Sequence, residues 1–122
     1  MTKAAAIYQF WNSFGLTAYE ENSVPDDATF PYITYQLVTD SFDSEIPLTA
    51  SLWYRSESWT AINAKTEEIS QEISRGEKIL SCDGGAIWLK RGQPFAQHMG
   101  DEIDNLIKLE YLNITAEFMT AD

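Results

Sequence analysis

Apolar and polar side chains alternate in two runs between Tyr32 and Arg55. In the first, Ile33, Tyr35 and Leu37 fall on one face, with Thr34 and Gln36 on the other. In the second, Ile46, Leu48, Ala50, Leu52 and Tyr54 lie opposite Thr49, Ser51, Trp53 and Arg55. A period of two predicts extended strands with one buried face. The link between them, Asp40-Ser41-Phe42-Asp43-Ser44-Glu45, is long for a tight turn, and its acids repel one another. The reading is a hairpin with a protruding acidic tip.

Helical spacing appears twice. Ala4, Ile7, Tyr8, Trp11 and Phe14 form a stripe over 2–14, with Thr2 placed to cap its start and Gly15 suited to the left-handed position past its end. Ile62, Thr66, Ile69 and Ile73 form the inward stripe of a second helix over 59–75, with Glu67, Glu68, Gln71 and Glu72 outward and Gly76 as its stop. A short strand is expected over 16–19, followed by an irregular arm, Glu20–Phe30, with Pro25 and the Asp26-Asp27 pair. Pro31 then biases Phe30 towards an extended conformation.

Asp83-Gly84-Gly85 between runs 78–82 and 86–91 signals a short hairpin, because glycine supplies positive φ. Residues 92–105 read as irregular, with Pro94, His98 and Gly100. In the last segment, Ile107, Leu109 and Tyr111 share one face and Leu112, Ile114, Ala116 and Phe118 the other. That phase slip predicts a β-bulge or a strand buried on both faces. The expected architecture is one domain over 1–122, of class α+β: a mainly antiparallel sheet packed under two helices in the order α-β-β-β-α-β-β-β.

Composition sharpens the picture. With 122 residues, 44% of them hydrophobic, the chain can bury a core without disulfides or metal. Four Trp, six Tyr and six Phe exceed what so small a core needs, so some should lie at a partner surface. The net charge is −11, and residues 20–57 hold eight acids against the single base Arg55. Such a field repels nucleic acid and anionic membranes, since phosphate binding needs cations. It suits a basic protein partner, or a surface past which DNA must slide. No apolar run reaches the ~18 residues of a membrane span, and Ala4–Ile7 is too short for a signal segment, so a cytosolic origin is expected.

Candidate chemistry is sparse. Cys82 and His98 are the sole residues of their types, so a Cys–His pair is formally possible, without a visible orienting acid. Asp101, Glu102 and Asp104 could offer oxygens to a hard cation but lack the glycine and downstream glutamate of a calcium loop. No catalytic residue, cofactor or metal site is nominated, and the chain is read as a non-enzyme. Lys78, Lys90 and Arg91 form a basic cluster on the second hairpin, which with the acidic first hairpin makes the molecule electrically two-ended. Identical subunits could then pair head to tail and close into a ring.

The opening helix followed by Phe30-Pro31-Tyr32-Ile33-Thr34-Tyr35, and Gly92-Gln93-Pro94-Phe95 followed after an acidic loop by Ile107–Ile114, resemble the tail terminator (tail completion) proteins of long-tailed bacteriophages. The likeness covers most of the chain in element order and length. It implies a structural protein of a phage or prophage, made in the host cytoplasm and incorporated into the virion. Such a protein forms a ring, typically a hexamer, that caps the tail tube and joins it to the head connector. It binds no specific nucleic acid, membrane or cofactor. Interface or lumen residues are nominated on physical grounds: Asp40, Phe42, Asp43 and Glu45 at the tip, Glu20 and Glu21 in the arm, and Lys90 and Arg91 on the second hairpin. The alternative is a small acidic immunity or inhibitor protein that masks a basic toxin or nuclease.

Overall fold

A computed structural model describes residues 1–74, 78–101 and 103–122. Helix α1 (Lys3–Trp11) starts where expected: the Thr2 hydroxyl accepts from the Ala5 amide at 3.1 Å. A 3₁₀ turn (Asn12–Phe14) follows and ends on Gly15 at φ 80°, the left-handed position that favours glycine. Strands β1 (Thr17–Glu20), β2 (Tyr32–Tyr35) and β3 (Ser44–Arg55) lead to α2 (Thr60–Ser74). Strands β4 (Lys78–Cys82), β5 (Gly85–Gly100) and β6 (Ile107–Thr120) complete the chain. The expected stop of the second helix, Gly76, lies outside the described residues.

The class is α+β. The six strands form one sheet in the order β1-β2-β3-β6-β5-β4. It is mixed: β1 and β2 pair parallel, and the other pairings are antiparallel. The parallel pair exists because the arm of residues 21–31 returns the chain to the same end of the sheet before β2 begins.

Helix α1 packs chiefly against β1 and β4, the two outermost strands. Five strand spacings would hold those edges about 24 Å apart in a flat sheet, whereas a nine-residue helix is only about 14 Å long. The sheet therefore curls, bringing its edges towards α1. Helix α2 fills the rest of the concave side, against β3, β4, β5 and β6. Ile7, Phe10, Trp11 and Phe14 meet Ile62, Ile69 and Ile73 over a floor of Ile33, Leu48, Leu52, Ile87, Leu112, Ile114 and Phe118. Phe10 stands edge-on to Trp11 and Phe14, with ring centroids 4.9 and 5.3 Å apart.

Four sequence expectations are corrected. The buried face of α1 is Ile7, Phe10 and Trp11, and Tyr8 is exposed, so the stripe runs one position around from the expected one. Strand β2 ends at Tyr35, leaving Leu37 and Val38 exposed. Residues 92–100 are not irregular but continue β5, past a register shift between Arg91 and Ala96 that includes the cis Gln93–Pro94 bond. The bulge therefore lies in β5. Strand β6 pairs with β3 without interruption from Ile107 to Phe118.

Candidate functional site

The acidic tip is built by β6, not by the β2–β3 turn alone. The N-terminal half of β3 pairs with β6, because β2 is too short to follow it, so residues 36–43 cross from β2 to the end of β6. There the Phe42 amide donates to the Thr120 carbonyl and the Asp43 amide to the Phe118 carbonyl, both at 2.8 Å. Phe42 and Asp43 both take positive φ, 56° and 64°, a conformation that aspartate tolerates and that strains Phe42. The Ser44 hydroxyl donates to the Ser41 carbonyl at 2.6 Å, and Lys3 of α1 donates to the Asp40 carbonyl at 2.8 Å. Phe42 is thus displayed, 76% exposed, on a backbone fixed from below. Among the described residues no cation pairs with the Asp40 or Asp43 carboxylate.

Glu45 behaves differently. Its carboxylate lies 3.3 Å from the Lys90 ammonium, which also meets Glu117 at 3.0 Å. The hydrogen bond to Glu117 raises the Lys90 pKa most; burial opposes it, and the hydrogen bond to Glu45 adds to the rise. Lys78 is paired with Glu72 at 2.8 Å, and the Arg91 guanidinium lies over the Phe95 ring. The electrically two-ended layout expected from sequence is therefore corrected: Glu45 and Lys90, assigned to opposite ends, are one ion pair.

In the arm, Glu20 folds back on the Asn22 side chain at 3.0 Å and the Glu21 amide donates to the Tyr35 carbonyl at 2.8 Å. At the end of the arm, Phe30 packs on Tyr32, which meets Tyr19 and stacks on Trp53 across the strand pair at 5.9 Å and 9°. The Trp53 indole donates to the Thr34 hydroxyl at 2.8 Å. These rings lie on the convex side of the sheet, away from both helices.

At the far end from the tip stands an arrangement that sequence reasoning missed. Glu110 lies on the concave face of β6 and is 5% exposed. Its Oε2 has no hydrogen-bond partner among the described residues and lies 3.3 Å from His98 Nε2. That nitrogen is also 2.8 Å from the Asn63 Oδ1, and the imidazole stacks on Trp59 at 3.9 Å and 10°. Burial pushes the Glu110 carboxyl above its ordinary pKa, opposed in part by His98 and by the Thr66 hydroxyl. The signal in the sequence was the apparent phase slip, since Glu110 occupies a core position in an otherwise unbroken alternation.

The remaining candidates separate. Cys82 pairs with Gly85 at the start of β5, and His98 stands roughly 30–40 Å along the same strand, so the two cannot act together. Asp101 accepts from the Ile103 and Asp104 amides at 2.7 and 3.0 Å, chiefly the latter lowering its pKa. Asp104 meets Arg55 at 3.4 Å. Glu102 lies outside the described residues, and among those described no group of three or more His, Cys, Asp and Glu converges as metal ligands would. Asp83-Gly84-Gly85 makes the expected turn, with Asp83 held by the N-terminal ammonium at 2.9 Å. No described helix is long and apolar enough to cross a membrane.

The sequence matches no protein-family model and no curated protein.

Proposed function

We propose that this chain is a structural, non-catalytic phage or prophage protein: a tail terminator that assembles with itself into a ring, typically a hexamer. In this reading it caps the tail tube, joins it to the head connector, and ends in the virion. The observation that carries the reading is the tip. A large exposed ring held on a strained, cross-braced backbone is pre-organised for contact, so little ordering entropy is lost when a partner covers it. The acids around it add a negative field that would let DNA pass a lumen without adhering. The arm and the Phe30–Tyr32–Trp53 stack offer a second contact region.

Because Glu45 is tied to Lys90, which it shares with Glu117, the pair Asp40→Asn and Asp43→Asn isolates the effect of the unpaired charges, and Phe42→Ser the apolar one. Purified protein at high concentration should form rings in negative-stain images and a large species by light scattering. Phe42→Ser should reduce that species to monomer while leaving the circular dichroism spectrum unchanged. A wild-type chain that stays monomeric at all concentrations and in the presence of tail tubes would overturn the proposal. The same unpaired acids suit a basic toxin or nuclease, and a stable one-to-one complex with such a partner would favour the immunity-protein reading instead.

A further inference from the structure

Glu110 stands where its neighbours call for an apolar side chain. Along the same face of β6 follow Leu112, Ile114, Ala116 and Phe118, and directly across on β3 is Leu52. The groups packed around it come from four elements. Strand β5 supplies His98 as its cross-strand partner; α2 supplies Asn63 and Thr66, both uncharged. Strand β3 supplies Tyr54, one step along the same face, and β6 supplies Lys108, whose ammonium lies over the Trp59 ring at 5.6 Å and donates to the Asn105 carbonyl. Glu67 and Glu68 lie on the exposed side of α2. Among the described residues, the charged group that bears on the Glu110 carboxyl is therefore His98.

The geometry of His98 makes its proton decisive. Nε2 has two oxygens within reach, Asn63 Oδ1 at 2.8 Å and Glu110 Oε2 at 3.3 Å. A proton on Nε2 can be offered to both. Without a second proton on the imidazole or on the carboxyl, Glu110 is a buried anion facing a neutral ring, with one oxygen unpaired.

We propose that His98 and Glu110 form a single proton-binding site that latches the far end of the β5–β6 hairpin to α2. One proton is held between them, as imidazolium beside carboxylate or as imidazole beside carboxylic acid, and neither arrangement leaves a lone buried charge. Loss of that proton as pH rises leaves carboxylate beside neutral imidazole. The carboxylate then gains by reaching water, which already meets the half-exposed His98 side chain beside it. The element released is the end of β5 and β6 around the loop that carries Ile103, a residue 99% exposed. The inference does not depend on the ring proposal.

The chain's single histidine makes the test unambiguous. In the intact protein, the Glu110 carboxyl ¹³C resonance and the His98 ring resonances are followed by NMR across a pH titration. The Glu110 carboxyl should move above the range of an ordinary glutamate, the His98 ring resonances should register that step through contact, and Glu110→Gln should delete the response from them. Amide exchange at Gln97–Gly100 and Lys108–Tyr111 should accelerate about tenfold beyond the base-catalysed trend over the same range, and Glu110→Gln should abolish the excess. A Glu110 carboxyl titrating as a free glutamate does, with His98 unaffected, would overturn the proposal. That reading comes from the wild-type chain, so it holds even if the variant fails to fold.

Discussion

The two ends of the curled sheet place carboxylates in opposite circumstances. At the tip, Asp40 and Asp43 stand in water with no cation partner among the described residues, and the strain lies in the backbone, at Phe42, the first of two consecutive residues of positive φ. At the far end the strands are regular through Glu110, and the unfavourable element is electrostatic, a buried carboxyl with one bare oxygen. A surface charge of either sign costs little where solvent screens it, whereas a buried one shifts its own protonation or demands a partner. The tip should therefore respond to changes of backbone and be indifferent to pH, and the far end should do the reverse.

The hardest test of the first half is Gly85, beneath the tip at the start of β5. Its φ is +151°, and a Cβ there would lie 2.1 Å from the Met119 carbonyl oxygen, which is backbone and cannot step aside. Gly85→Ala should cost about 3–4 kcal/mol, combining the disallowed conformation with overpacking, read as a lowered urea midpoint. A loss under 1 kcal/mol would show that this end is pliant.

Glu110→Gln tests the other half. The folded pKa of Glu110 is raised, so its contribution to stability is fully present below the ordinary carboxyl value and is lost as pH rises through the folded one. The variant should match wild type near pH 4 and exceed it by about 1–3 kcal/mol near pH 8, in urea unfolding at both. A difference that does not change with pH would mean the carboxyl reaches solvent.

This residue also marks the limit of what the sequence disclosed. Both helices, the Asp83-Gly84-Gly85 turn, the cap at Thr2 and the inward face of β3 follow from period and local chemistry, and they are where those predict. Glu110 misled because a carboxylate normally marks a solvent position, so the alternation around it looked broken when the strand was not. Gly92 and Pro94 misled in the same way, as loop residues inside a continuing strand. The curl of the sheet and the parallel β1–β2 pair are long-range outcomes that no local pattern encodes. Of the nominated interface residues, Phe42 was visible as an aromatic among acids. The Glu45–Lys90 pair required the register of β3, β6 and β5 together, because Glu45 and Lys90 sit on the strands flanking β6.

Phe42→Gly separates display from stability at the tip. Glycine adopts φ near 56° without penalty, so the substitution relieves strain of about 1 kcal/mol, less the extra entropy that glycine loses on folding. The net effect should be a stability unchanged or raised by up to about 1 kcal/mol, while assembly is lost with the ring. Loss of both together would mean that Phe42 packs on its own chain and is not there for a partner.

The smallest effect is expected from the double change Asp40→Asn, Asp43→Asn. Neither carboxylate has a cation partner among the described residues, and the Asp40 side chain accepts from the Ser41 amide through an oxygen that asparagine retains. Exposed changes of this kind stay within about 0.5 kcal/mol. What removal of two charges can alter is the long-range field, which acts over about 10 Å at 0.1 M salt. The variant should therefore unfold at the wild-type urea midpoint, and its midpoint should rise less with added salt, because less repulsion remains to be screened. If the unfolding midpoint instead fell by 1 kcal/mol or more, the acids would be holding the loop in place, and the contrast between a backbone-braced tip and a charge-governed far end would fail.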